Sequence, residues 1–123
     1  LKERPPLPAI ALPTNASAVT AIANDYDYSE IFSRQLQGLA KTGDVLVGIS
    51  TSGNSANVIE AIKMASECGV KSIALTGQNS SEAGHLADIA ICAPSTHTPR
   101  IQEMHIAIGH TLCEIAENSL SET

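Results

Sequence analysis

The sequence predicts an α/β fold with a parallel sheet, and three observations carry that prediction. Short apolar runs alternate with stretches whose apolar residues recur at helical spacing, the pattern of strands alternating with helices. Small and polar residues follow these units at Thr14-Asn15, Asn24-Asp25, residues 50–55 and Thr76-Gly77, which suits loops outside the carboxyl ends of parallel strands. A chain of 123 residues, 43% hydrophobic and 16% charged, makes one domain with a real core.

The elements read in order as follows. Leu1-Lys2-Glu3-Arg4-Pro5-Pro6 resembles a linker, so the chain reads as the carboxyl-terminal part of something longer. Pro8-Ala9-Ile10-Ala11-Leu12, closed by Pro13, suits a strand buried on both faces. Thr14-Asn15 supplies cap chemistry for a short helix through Ile22, broken at Asn24-Asp25-Tyr26-Asp27. A second helix takes Ser29 as its cap and aligns Ile31, Phe32, Leu36 and Leu39. Thr42-Gly43-Asp44 is turn chemistry before Val45-Leu46-Val47-Gly48-Ile49, the clearest strand. After the loop at 50–55, Val58, Ile59, Ile62, Met64 and Ala65 mark a helix that Gly69 ends. Lys71-Ser72-Ile73-Ala74-Leu75 is a strand, residues 82–87 a weaker helix, and Ile89-Ala90-Ile91-Cys92 the last strand. Pro99 stands where a helix starts, and helical spacing runs over residues 100–119.

Charge and composition exclude several classes. Seven Lys and Arg against 13 Asp and Glu give a net charge of −6, the wrong sign for a phosphate backbone, so no nucleic-acid partner is expected. No window approaches 18 consecutive apolar residues, so no membrane partner is expected, and no charged-then-apolar leader pattern opens the chain. The absence of Trp and the single Phe argue against an aromatic stacking platform. Cys68, Cys92 and Cys113 are odd in number, far apart and without CxxC spacing, which reads as reduced thiols in a cytoplasmic protein.

Chemistry concentrates in two segments. Ser50-Thr51-Ser52-Gly53-Asn54-Ser55 directly follows a strand and precedes a helix, whose start offers unpaired N–H groups and a partial positive charge. Gly53 permits close backbone approach, and Ser50, Thr51, Ser52 and Ser55 can donate to phosphate oxygens. A polar turn with a single cap would need one hydroxyl; four point to phosphate binding. There is no lysine here, so the segment is no P-loop. In the second segment, Ile101, Met104, Ile108, Leu112 and Ile115 form an apolar stripe, with His105 inside it as a buried histidine bonded to backbone. His110 lies at the polar edge with Glu103 and Glu114, as a solvated or salt-bridged histidine or a functional one. Gln102 is a polar residue in a largely apolar sector. Gln102 and His110 are separated by about 12 Å of rise and about 80° of rotation, so their spacing is weak evidence for a metal. Asn24-Asp25 could orient a sugar hydroxyl or simply stop a helix. His85 and His97 lie near loops and receive no role.

Val45-Leu46-Val47-Gly48-Ile49-Ser50-Thr51-Ser52-Gly53-Asn54-Ser55, with Arg100-Ile101-Gln102-Glu103-Met104-His105, resembles the sugar isomerase (SIS) domain family, and within it the bacterial phosphoheptose isomerases. Arg4-Pro5 leading to residues 8–12, Ala23-Asn24-Asp25, Ile31-Phe32-Ser33-Arg34 and Ile73-Ala74-Leu75-Thr76-Gly77 match too, so the resemblance covers nearly the whole chain. It implies a flavodoxin-like three-layer αβα sandwich around a five-stranded parallel sheet. Residues 1–123 would be the carboxyl-terminal two-thirds of a single SIS domain, lacking its amino-terminal helix and first strand–helix unit. Because that first strand lies inside the family's sheet, the resemblance implies exposed apolar strand edges and no stable catalyst from these residues alone.

The resemblance further implies a homotetramer with active sites where subunits meet, in the cytoplasm. The implied reaction converts sedoheptulose 7-phosphate to a glycero-manno-heptose 7-phosphate through an enediol, the first step toward the heptose of lipopolysaccharide. Ser50, Thr51, Ser52 and Ser55 would hold the phosphate, Asn24 and Asp25 the sugar, and Gln102 the substrate. His110 would be the catalytic histidine, and Gln102 and His110 would ligate zinc in zinc-binding members, the remaining ligands lying outside this chain. Imidazole is the side chain that titrates nearest neutrality, which suits proton transfer between neighbouring carbons. Thr98-Pro99 departs from members that carry an Asp there. A SIS protein that associates with the bacterial replication initiator shares the Arg-Ile-Gln-Glu-Met-His run. Such members tend to lose the second histidine and to place Arg in the hydroxyl loop, and this chain keeps His110 and Ser52. A sugar-phosphate sensor of a transcription factor would need a basic helix-turn-helix segment, and none is visible here.

Overall fold

The structure, a computed structural model, describes residues 3–121; Leu1 and Lys2 of the Pro-rich opening lie outside the described residues, as do the last two. The elements are α1 (Ala16–Asp25), α2 (Ser33–Leu39), β1 (Val45–Ile49), α3 (Ala56–Glu67), β2 (Lys71–Thr76), α4 (Glu82–Leu86), β3 (Ile89–Cys92) and α5 (Thr98–Ser121), with short 3₁₀ turns at Leu12–Thr14 and Tyr28–Glu30. The strands form one parallel sheet in the order β1-β2-β3, with Val47 beside Ile73 and Ile73 beside Ile89. Helices lie around the sheet, so the expected α/β class holds.

The larger hydrophobic cluster sits on one face of the sheet, while Leu75 of β2 is buried on the other. Leu36 of α2, Leu46 of β1, Val58, Ile59, Ile62 and Ala65 of α3, Ala74 of β2 and Ala83 of α4 pack together in this cluster. Alternation along β1 follows: Leu46 and Gly48 turn into this core, while Val45, Val47 and Ile49 are 57%, 43% and 56% exposed on the other face. At the amino ends of the strands, Asp88 accepts from Lys71 Nζ at 2.8 Å and from the Ser72 amide at 2.9 Å, tying β2 to the start of β3. The Lys71 ammonium, with the Ser72 amide behind it, holds the Asp88 carboxyl below its ordinary range.

The structure departs from these expectations at several points. Residues 8–11 are exposed and in no ladder, and Leu12 is half-buried against the core at the start of a 3₁₀ turn, so the segment is not a buried strand. A strand exists by its ladder, Pro8 and Pro13 have no N–H to give, and no described strand adjoins the segment. Instead the segment faces the free edge of β1 across an apolar cleft of about 640 Å³, lined also by Phe32, Leu36 and Val58. Among the described residues the sheet therefore has three strands, against four read from the runs; the five implied by the resemblance are those of a complete domain. Thr14 accordingly follows no strand; its hydroxyl bonds Ala11 O at 2.6 Å, and Asn15 caps α1 by accepting from the Ala18 amide at 3.1 Å. Ser29 caps nothing: Asp27 accepts the Ser29 amide at 2.8 Å and opens the 3₁₀ turn before α2. Lastly, the apolar stripe of α5 is only partly used. Ile101 and His105 are its only buried residues among those described, whereas Met104, Ile106, Ile115 and Leu120 are exposed. Arg4 reaches across to Glu117 on this helix, 2.9 Å away.

Candidate functional site

β1 and α3 are joined by the hydroxyl loop, and its geometry follows from one buried serine. Ser50 is 6% exposed; its amide continues the ladder to Leu75 O at 3.0 Å, and its Oγ accepts from the Gly53 amide at 3.1 Å. That bond closes a tight turn, which requires Gly53 at φ +67°, a left-handed conformation that suits glycine. The turn gathers the hydroxyls: Ser50 Oγ stands 2.9 Å from Ser55 Oγ and 3.4 Å from Ser52 Oγ. Ser52 Oγ in turn accepts the Asn54 amide at 3.1 Å. Ser55 occupies the cap position of α3 yet makes no side-chain cap bond. Three hydroxyls thus converge at the start of a helix without being consumed as its cap, the arrangement an anion's oxygens need.

The surrounding loops hold this turn in place. Asn54 Oδ1 accepts the Glu82 amide at 3.0 Å, and Gly53 O accepts the Ala83 amide at 3.0 Å, so α4 is anchored on the loop. A Cβ on Gly53 would overlap the Ser81 side chain. Thr51 O accepts the Gly77 amide at 3.1 Å, and Ser95 O accepts the Gln78 amide at 3.0 Å. The loops after all three strands therefore meet, and between them lies a polar hollow of about 210 Å³ lined by Thr51, Ser52, Gln78, Asn79, Thr96 and Thr98. Sequence reading singled out Thr76-Gly77 as a strand end but missed Asn54, Ser81 and Gln78. For Gln78 and Ser81 the signal is the polar turn at Gly77-Gln78-Asn79-Ser80-Ser81; for Asn54 it is its place in the hydroxyl loop.

The other candidate residues lie elsewhere. Asn24 and Asp25 are the last two residues of α1, exposed, and Asn24 Nδ2 donates to Asp25 Oδ1 at 2.9 Å. Gln102 and His110 are both exposed on α5, so Gln102 is not in the buried sector its apolar neighbours suggested. Glu103 pairs with Arg100 at 2.6 Å. His105 is buried and bonded to backbone, as its place in the stripe predicts. Among the described residues, no three His, Cys, Asp or Glu come together as metal ligands. One amide and one imidazole eight residues apart are half of a four-ligand zinc site at most, so these residues alone do not fit the metal. Among the described residues, no helix is long and apolar enough to cross a membrane.

With a parallel α/β sheet and a cluster of hydroxyls at the β1–α3 junction, the chain belongs to the SIS domain family, whose profile matches residues 1–77. Among its relatives, the phosphoheptose isomerase of Aliarcobacter butzleri is 56% identical over 97% of this chain and 63% of its own length. That of Rhodospirillum rubrum is 54% identical over 98% and 64%. The solved structure of a phosphoheptose isomerase from Francisella tularensis superposes with a TM-score of 0.88 at 41% identity, over 91% of this chain and 60% of that one. The one from Neisseria gonorrhoeae gives 0.83 at 49% identity, over 86% and 60%. The chain thus spans about three-fifths of the length of the curated relatives it matches.

Proposed function

We propose that this chain is the carboxyl-terminal part of a phosphoheptose isomerase, and that the whole protein interconverts sedoheptulose 7-phosphate and a glycero-manno-heptose 7-phosphate. The observation that carries the reading is the convergence of Ser50, Ser52 and Ser55 at the start of α3, in a chain 56% identical to a protein of that name. Those hydroxyls, with Thr51, hold the phosphate; Asn24, Asp25 and Gln102 bind the sugar chain. The chemistry moves one C–H proton. A base takes it from the carbon next to the ketose carbonyl and its electron pair becomes the enediol double bond as the carbonyl oxygen takes a proton; a proton then returns to the former carbonyl carbon as the neighbouring hydroxyl gives one up to become the aldehyde. His110 supplies one of these transfers.

A strand from outside residues 1–123 fits the apolar cleft beside β1. The free β1 edge and the greater length of the relatives support it. The exposed apolar residues of α5, Met104, Ile106, Ile115 and Leu120, suit burial between subunits of a homotetramer. The free thiols suit the cytoplasm, and the product class suits the supply of heptose for lipopolysaccharide. The relatives' names favour the isomerase over the replication-initiator partner.

The test is turnover of sedoheptulose 7-phosphate by the full-length protein, with and without added zinc. Conversion to the aldose phosphate supports the reading. Sugar-phosphate binding without conversion, in either condition, overturns it in favour of a binding member of the family.

A further inference from the structure

The loops of the site cross at Thr76 and Gly77, and one buried side chain reaches that crossing from α5. His105 is 5% exposed, and its Nε2 lies 2.9 Å from Thr76 O. A carbonyl oxygen only accepts, so the bond requires a proton on Nε2. Nδ1 is buried and has no partner among the described residues. The ring is therefore held in the Nε2–H tautomer, and among the described residues Thr76 O is its one hydrogen-bond partner.

The carbonyl it bonds is a junction. Thr76 O also accepts the Ala93 amide at 2.9 Å, from the residue that follows β3. The next residue, Gly77, gives its amide to Thr51 O at 3.1 Å. Nothing larger than glycine fits there: a Cβ would stand 2.7 Å from Thr51 O, 2.8 Å from Ile101 Cδ1 and 3.3 Å from Ser95 O. One imidazole, one carbonyl and one amide thus connect the helix bearing Gln102 and His110 with the loop bearing the hydroxyls. Since Ile101 and His105 are the only buried residues of α5 among those described, few other contacts fix that helix.

We propose that His105 is a positioning residue: by donating Nε2–H to Thr76 O it sets the placement of α5, and so of Gln102 and His110, against the hydroxyl loop. It acts through Thr76 and Gly77 and not on the substrate. The kinetic part of its test rests on the isomerase reading; the spectroscopic part does not.

The test compares two substitutions in the full-length protein. His105→Gln brings an amide N–H to the position of Nε2, whereas His105→Asn ends near Nδ1 and leaves Thr76 O without its second donor. Expected is a kcat within about threefold of the unsubstituted protein for H105Q. For H105N, kcat falls about tenfold or more while KM for the sugar phosphate rises by less than kcat falls, because Gln102 lies on α5 but the hydroxyl loop is built on β1 and α3. Hydrogen exchange at the Gly77 amide speeds up about tenfold in H105N and is unchanged in H105Q. Nitrogen NMR of the unsubstituted protein finds Nδ1 of His105 unprotonated. The proposal is overturned by equal behaviour of the two variants, by a lowered melting temperature with kcat and Gly77 exchange unchanged, or by an Nδ1–H tautomer. If the unsubstituted protein does not turn over sedoheptulose 7-phosphate, the isomerase reading fails, and Gly77 exchange with the tautomer decides the role of His105.

Discussion

Replacing Gly53 by Ala puts a methyl group into the turn that gathers the hydroxyls. Two separate effects follow. At φ +67° an L side chain meets its own backbone, worth about 1–2 kcal/mol. The methyl also overlaps Ser81 and comes within 3.1 Å of Thr76 Cγ2, and relieving such overpacking costs about 1–3 kcal/mol. G53A should therefore lose about 2–5 kcal/mol in stability, read as a lower urea midpoint at unchanged slope in the full-length protein. Ser81→Gly separates the two effects, since it removes the overlapping atoms. As the cap of α4, Ser81 accepts the Gly84 amide at 3.3 Å, and glycine at a cap costs only about a few tenths of a kcal/mol. The double variant should recover about 1–2 kcal/mol of the G53A loss, leaving the backbone part. Additivity of the two substitutions within about 0.5 kcal/mol would refute the reasoning, because it would mean that Gly53 and Ser81 do not compete for one space.

Three further outcomes are expected. His110→Gln should abolish almost all turnover of sedoheptulose 7-phosphate with binding largely retained; an unchanged kcat removes His110 from the proton transfer. Replacing Ser52 and Ser55 by Ala should raise KM about tenfold or more, each lost bond to a charged oxygen being worth about 1.5–3 kcal/mol, and should weaken competition by inorganic phosphate in parallel. Asp88→Asn should lower the melting temperature at neutral pH. Lys71 and the Ser72 amide hold the Asp88 carboxyl below its ordinary value of 3.8, so its stabilisation is present above that value and is lost as pH falls through the lowered one. The gap between D88N and the unsubstituted protein should close on acidification below about pH 4, and a gap that stays constant there contradicts the assignment.

Local pattern revealed most of the fold where the cause is local. Val45-Leu46-Val47-Gly48-Ile49 reads as a strand because its residues favour a pleated, buried surface, and Ser50 to Ser55 read as a ligand loop because hydroxyls at a helix start have few other uses. His105 was legible as a buried histidine because the stripe of α5 has one polar position. The failures have non-local causes. Residues 8–12 carry the same apolar signature whether or not a neighbouring strand receives them, and pairing is a property of the neighbour. The periodicity of α5 promises burial over its whole length, yet only Ile101 and His105 in its first two turns are buried among the described residues, and Gln102 between them stands in solvent. Asp27 took the capping role assigned to Ser29 because its carboxylate reaches two residues forward. That Gly77 tolerates no side chain depends on Thr51 and Ile101 converging from distant parts of the chain.

The main hydrophobic cluster bears on how the chain acquires its structure. Its buried members fall between Leu36 and Ala83, in elements joined by short connections, so their contacts form with little loop-closure entropy. The α2-β1-α3-β2 unit should condense first and set the hydroxyl loop, with α5 docking last through Ile101 and His105. In a refolding chain pulsed with deuterium, the amides of β1 and α3 should become protected ahead of those near His105, so a phosphate-sized anion should find its site before the helix bearing His110 has arrived.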